Sequence, residues 1–336
     1  MNKPMVTAYS ATAGGFLPAF ANRSRRGWEN PPIAGLLDKR LAFITGKGGV
    51  GKTTVAYALG LAAAAAGKRA IVCEIAGQER GAALFDRPPI GFAETELDQN
   101  LWAISIDPDR MVREYLEMLL PVRAMASLLY RSHLFAYLAA ATPGLQEVVS
   151  IGKAYELTLD ARRAPDAGRT YDIVIVDAPA TGHGIGFLEA PGTFRRIARG
   201  GPLADQAARI ERMITDRRAS GVGIVASPEE MAVNESADLA AGLEEAGVAL
   251  EELYVNGLYP ERFSAPELDR IRTAREQLPS AALDAAVAEA ERAATQRIEL
   301  ERLREVLPGV PVHELPFLFS VGFGLDELRR IAAVIV

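Results

Sequence analysis

Five short stretches of the chain are apolar at successive positions instead of alternate ones: Leu41–Thr45, Ala70–Glu74, Asp172–Asp177, Gly223–Ala226 and Leu253–Asn256. Strands covered by helices on both faces read this way, whereas a strand with one wet face alternates. Helical stretches separate the five, so the pattern predicts a doubly wound α/β fold around a mainly parallel sheet. The first helix is expected to reach Ala66 and stop at Gly67, with Lys68 and Arg69 at its negative end. Further on, Ser264-Ala-Pro-Glu267 has the form of a capping box opening a helix. Ser280 to Leu307 reads as a long charged helix ended by Pro308-Gly309.

Two stretches break the alternation. A mostly helical insertion is expected over about 107–165, with Met111, Met118 and Met125 at seven-residue spacing among Leu119, Leu120, Leu128 and Leu129. Such a stripe suits an adaptable binding surface, and it is equally the pattern of plain helix core. A shorter helical piece is expected over about 187–219. Residues 1–36 mix Gly, Ser, Pro and Arg without periodicity or an apolar signal core, and are expected to be a disordered extension before a single domain over 37–336. No internal repeat is visible, so one copy of the fold is expected.

Composition narrows the function classes. With 49% hydrophobic and 24% charged residues in 336, the chain has the balance of an ordinary globular protein. A net charge of −6 supplies no electrostatic footprint for nucleic acid. The most apolar run, Val55–Ala66, is 12 residues long, short of the roughly 18 that a spanning helix needs. No integral membrane segment is therefore expected. One cysteine, Cys73, excludes an intrachain disulfide and a cysteine-based metal site within one chain, and fits a reducing cytoplasm.

The strongest chemical signal follows the first strand. Gly46, Lys47, Gly48, Gly49, Val50, Gly51, Lys52 and Thr53 match the phosphate-loop pattern G-x-x-x-x-G-K-[ST], between a predicted strand and a predicted helix, and Thr54 extends the nucleotide-binding run. The glycines let successive N–H groups turn toward phosphates, Lys52 meets the β- and γ-phosphates, and the Thr53 hydroxyl reaches Mg²⁺. The helix N-terminus adds positive potential. Lys47 is a second lysine that the general pattern does not require. It does not easily fold back on its own nucleotide past Lys52, and a dimer partner's phosphates offer it the role of an arginine finger. A solvated loop lysine is the plain alternative. Asp177 ends an apolar strand and is placed to bind a Mg²⁺ water. Pro179, Gly182 and Gly184 behind it suggest a mobile segment able to sense the γ-phosphate.

With these motifs in view, GKGGVGKTT together with DAPATGHG (Asp177 to Gly184) resembles the ArsA-like ATPases, the family of the arsenite-pump ATPase and the tail-anchored-protein targeting factor. The wider group shares a deviant phosphate loop and includes MinD and nitrogenase iron protein. Thr142–Glu147, Pro228-Glu229, Asn234–Ser236, Tyr254–Gly257 and Leu315–Leu318 are further family-like pieces, so the resemblance runs from about Leu37 to the C-terminus. It implies a Mg²⁺-dependent ATPase working as a homodimer or a heterodimer, with ATP as its nucleotide and Lys47 as the signature lysine acting across the dimer. It also implies that Asn256 reads adenine and that Pro316 and Phe317 pack on the base.

Departures from the family matter as much. Where the first switch usually reads D-P-A-H-S, this chain has Glu74-Ile-Ala-Gly-Gln-Glu79. Glu74 is in register and is the candidate to position the attacking water, with Glu79 as the fallback. The arsenite pump gathers metalloid with several cysteines, and the targeting factor bridges its dimer through a C-x-x-C zinc site; this chain has neither. Its short, arginine-rich second helical piece makes a weak wall for an apolar client, and Gly186 to Pro202 looks more like the bacterial single-domain members. Three readings stand: a dimeric ATP-driven switch with a protein client carrying an apolar segment, a low-turnover regulator paired with a sister subunit, and, disfavoured by the cysteine count, a metalloid-pump energiser.

Overall fold

The computed structural model describes residues 35–75, 79–119, 144–160, 170–179, 181–197, 200–278 and 280–335. Eight strands form one sheet: β1 (Leu41–Gly46), β2 (Ala70–Ile75), β3 (Thr95–Asp98), β4 (Leu101–Ile106), β5 (Ile173–Asp177), β6 (Ser220–Ala226), β7 (Leu250–Leu258) and β8 (Val312–Pro316). Their order is β3-β4-β2-β5-β1-β6-β7-β8. Every pairing is parallel except that of the edge strand β3 with β4. Ten helices alternate with the strands among the described residues: α1 (Lys52–Ala65), α2 (Gly81–Leu84), α3 (Pro108–Leu119), α4 (Leu145–Leu157), α5 (Thr181–Ile197), α6 (Pro202–Thr215), α7 (Glu230–Glu245), α8 (Ala265–Gln277), α9 (Ala281–Val306) and α10 (Leu325–Ile335).

The continuous apolar runs follow from two cores. Along β1, Leu41 and Phe43 point into a core shared with α4, α5, α6, α7 and α9, while Ala42 and Ile44 point into another shared with α1 and α10. Successive strand side chains face opposite sides, so both positions must be apolar. Each fully buried Leu, Ile or Phe contributes roughly 1.5–3 kcal/mol of transfer free energy. The alanine-rich α1 lies close against the sheet because a side chain at Gly60 would press on Leu101 and Val72.

Strands β3, β4 and β8 add to the five expected from apolar runs. The family-like piece Leu315–Leu318 begins in β8, which supplies its first two residues. The capping box at Ser264 and Glu267 is present, and α9 opens on Ser280, whose hydroxyl accepts from Ala282 N at 3.3 Å. The folded unit begins before residue 37: Leu36 is fully buried and its N–H donates to Glu252 Oε1 at 2.9 Å. Within the helical insertion, α3 and α4 are described and pack together, and Met111 is in the core. The side chain of Met118, and Met125 with the rest of 120–143, lie outside the described residues. The segment around Gly182 and Gly184, read as a mobile loop, is the first turn of α5.

Candidate functional site

The carboxyl ends of the parallel strands carry the site, where the loops of an open α/β sheet converge. Gly46 ends β1 with φ 148°, and a Cβ there would run into the Val225 carbonyl on β6. Gly51 has φ 96°, and a Cβ there would meet the Asn256 amide. Both positions therefore demand glycine. α1 opens directly on Lys52 with no side-chain cap. Its first N–H groups and the positive end of its dipole face the loop and fit an anion. Lys52 Nζ donates to the Lys47 carbonyl at 3.0 Å, closing the loop around it. Burial lowers the Lys52 pKa, with the Asp177 charge opposing and the Arg80 charge adding to that effect.

Asp177 ends β5 between β1 and β2, in register with Ile44 and Glu74. Its Oδ2 accepts from Thr53 Oγ1 at 2.5 Å. Burial pushes its carboxyl up to about 6; the Thr53 hydrogen bond, Lys52 and Arg80 pull down, and the neighbouring Glu74 charge pushes up. A buried carboxylate held this reluctantly in ionised form is suited to a divalent cation. No group of three or more His, Cys, Asp or Glu that could hold a metal is present among the described residues. Thr53 and Asp177 fit Mg²⁺, which takes one or two protein oxygens plus phosphates and waters, and do not fit a protein-caged ion.

Glu74 is buried, and three donors occupy it. Tyr57 OH donates to Oε1 at 2.6 Å, Gly81 N to Oε1 at 2.9 Å, and Arg80 N to Oε2 at 2.9 Å. The expectation that this carboxylate holds the attacking water meets a group already engaged on both oxygens. Burial, then the Glu74 charge, drives the Tyr57 hydroxyl far above its usual range. Glu79, the fallback, accepts from Gly91 N at 2.9 Å through Oε1, while its buried Oε2 has no hydrogen-bond partner.

Lys47 Nζ lies 3.1 Å from Glu235 Oε1 on α7 of the same chain, both half-buried. Asn256 Nδ2 donates to the Val50 carbonyl at 2.8 Å, bracing the loop from β7. Pro316 and Phe317 follow at the end of β8, where Phe317 stacks on Tyr259 at 4.6 Å and meets Phe319 edge-on at 4.9 Å. The structure thus brings together Gly46–Thr54, Asp177, Glu74 and Asn256. Phe317 joins them only through the aromatic cluster beside β7. The side chains of Thr181, Gly182 and His183 are outside the described residues. Sequence reasoning assigned no role to Tyr57, Arg80 or Tyr259. A signal existed for Tyr57, the one polar aromatic in an alanine-rich helix one turn past the loop. Arg80 offered none, because only tertiary folding returns it to the strand ends.

Strand, glycine cradle, uncapped helix and strand-end aspartate define a phosphate-loop NTPase of the doubly wound class. A family model described as anion-transporting ATPase matches residues 39–199 and 202–336. The chain belongs to that family. It is 29% identical over 317 residues to the ATPase BagA of Mycobacterium tuberculosis, covering 87% of this chain and 91% of the relative. An arsenical pump-driving ATPase of Acidiphilium multivorum is 27% identical over 267 residues, 74% of this chain and 44% of the relative. An ATPase ASNA1 homolog of Paramecium tetraurelia is 31% identical over 155 residues, 44% of this chain and 43% of the relative.

Proposed function

We propose that this chain binds and hydrolyses ATP with Mg²⁺ and works as a dimeric switch in the cytoplasm, its nucleotide state controlling a protein client with an apolar segment. The observation that carries the reading is the Thr53–Asp177 contact at 2.5 Å beneath a glycine cradle that tolerates no side chain at Gly46 or Gly51. Lys52 is positioned to neutralise the β- and γ-phosphates, Thr53 and Asp177 to hold the metal, and the loop N–H groups to orient the phosphate chain. The metal, when bound, supplies charge neutralisation on the phosphates. Lys47 is proposed to leave Glu235 and meet the partner's phosphates in the assembled dimer, adding charge there as the bond to the leaving group breaks. Asn256, Pro316 and Phe317 are proposed to receive the adenine.

One observation favours a second reading, a low-turnover regulator paired with a related subunit: three donors of the chain itself already engage both oxygens of the Glu74 carboxylate, where the attacking water needs an acceptor. The metalloid-pump role is the weakest, because Cys73 is buried in β2. Among the described residues no helix is long and apolar enough to cross a membrane. Steady-state phosphate release and light-scattering mass of the wild type, Lys47→Ala and Lys52→Ala separate the readings. The switch enzyme predicts turnover lost in both variants and an ATP-dependent dimer lost in neither wild type nor Lys47→Ala. Wild-type turnover no faster than that of Lys52→Ala ends it.

A further inference from the structure

A bulge follows Asn256 on β7. Asn256 lies opposite Leu315 of β8 and Leu258 opposite Pro316, so Gly257 is an extra residue between two paired ones. Gly257 has φ 83°, the left-handed conformation that such a bulge reserves for glycine. Gln296 of α9 clamps the bulge with both ends of its amide. Its Nε2 donates to the Gly257 carbonyl at 3.1 Å, and its Oε1 accepts from the Tyr259 N–H at 2.7 Å. The Tyr259 hydroxyl accepts from Nη1 of Arg292, also on α9, at 2.9 Å. With backbone and hydroxyl both tied, the plane of the Tyr259 ring is set.

That ring carries Phe317. The two lie nearly parallel, at 15° and 4.6 Å between centroids. Phe319 closes edge-on against both, 5.5 Å from Tyr259 and 4.9 Å from Phe317. The Phe317 N–H donates to the Leu258 carbonyl at 2.8 Å, which ties its backbone to the bulge as well. Yet Phe317 stays 41% exposed and Phe319 55%. A braced aromatic stack left open to water is a place for a further flat ring. Asn256, on the other side of the bulge, braces the Val50 carbonyl at 2.8 Å, so one short segment of β7 serves both the phosphate loop and the stack.

We propose that Tyr259 is a positioning residue of the nucleotide site: fixed by the Gly257 bulge and the Gln296 clamp, it holds the Phe317 ring as the platform on which the purine of the nucleotide stacks. The inference rests on the reading of Gly46–Thr54 as an ATP site with its base at Phe317. It gives that reading a source of base affinity outside the phosphate loop, anchored on α9.

Calorimetric titration of the full chain with ATPγS and with inorganic tripolyphosphate, both in Mg²⁺, separates base binding from phosphate binding without turnover. Tyr259→Ala is expected to weaken ATPγS about fivefold or more and to leave tripolyphosphate within about twofold, because the stacked base is what loses its support. Tyr259→Phe keeps the ring and should stay within about twofold of wild type for both ligands. Phe317→Ala should show the same ATPγS-selective loss, and the double variant no more than the larger single loss, since Tyr259 acts through Phe317. Tyr259→Leu, which retains an apolar side chain for packing, replaces Tyr259→Ala should that variant not fold. Unchanged ATPγS affinity in the Tyr259 variant overturns the proposal, as does an equal loss for tripolyphosphate or a double variant whose losses multiply. Phe317→Ala with full ATPγS affinity overturns the placement of the base, and this proposal with it. Wild type that binds neither ligand overturns the ATP-site reading itself.

Discussion

The two ends of the one sheet bury carboxylates under opposite rules. At the carboxyl ends, Asp177 is forced up to about 6 by burial with one hydroxyl donor. Thr45 Oγ1, Glu79 Oε2 and Glu235 Oε2 are buried there without a hydrogen-bond partner. At the amino ends, Glu251 pairs with Lys39 at 3.0 Å, both 6% exposed, and Lys39 Nζ also donates to the Arg217 carbonyl at 2.6 Å. Glu252 accepts from Leu36 N and the Tyr254 hydroxyl and faces His313 at 3.4 Å. Burial raises its pKa, but the bonds from His313, Tyr254 and Leu36 outweigh that and leave it below the usual carboxylate value. At the amino ends the chain itself supplies partners for both buried carboxylates, although the Ser220 hydroxyl there has none; at the carboxyl ends carboxylate oxygens are left open for a ligand to complete.

Breaking each end should therefore give different readouts. Lys52→Ala should lower turnover about a thousandfold or more, measured as phosphate release, with little change in unfolding temperature without nucleotide. Lys39→Met should do the reverse. It strands a buried Glu251 charge and should cost about 3–5 kcal/mol in urea unfolding, while nucleotide affinity of the folded fraction is kept.

Glu252→Gln sharpens the contrast through pH. Because the folded-state value lies below the ordinary 4.5, the ionised group stabilises the fold above that value and loses this contribution as pH falls through the folded-state pKa. The deficit of Glu252→Gln, about 1.5–3 kcal/mol near neutrality from lost charge-assisted bonds, should shrink below about pH 4.5 in a series of denaturant curves.

Asn256→Ala should weaken nucleotide binding about tenfold, as loss of one loop brace. An equal loss for ATP and GTP marks the brace to Val50, and an ATP-selective loss marks adenine reading. The smallest effect belongs to Ser264→Ala. It removes the capping box of the exposed helix α8 and should cost about 1 kcal/mol, seen as faster amide exchange within α8 alone.

Much of the molecule is legible in the letters, for physical reasons that differ by region. Consecutive apolar residues in β1, β2 and β5 announce a doubly covered sheet because both faces of each strand are dry. The loop from Gly46 to Thr53 announces itself because its glycines answer a steric demand and Lys52 a charge demand, both local. Strand β3 escapes this reading because a four-residue edge strand half-exposed to water has no continuous apolar signal. Strand β8 escapes it because its buried face is narrow and its other positions are only partly covered. The helical start of α5 at Thr181 is hidden by glycines and Pro179, which locally favour a turn.

The sequence by itself determined the fold class, the phosphate loop and Asp177 as its partner, because each rests on periodicity or on a short run whose chemistry is complete in itself. Only the tertiary structure decided what Glu74, Lys47 and Arg80 touch. Their neighbours, Tyr57, Glu235 and the ends of the strands, come from other segments. Which donor satisfies a buried carboxylate, and which carboxylate a loop lysine meets, depends on packing that no local pattern encodes.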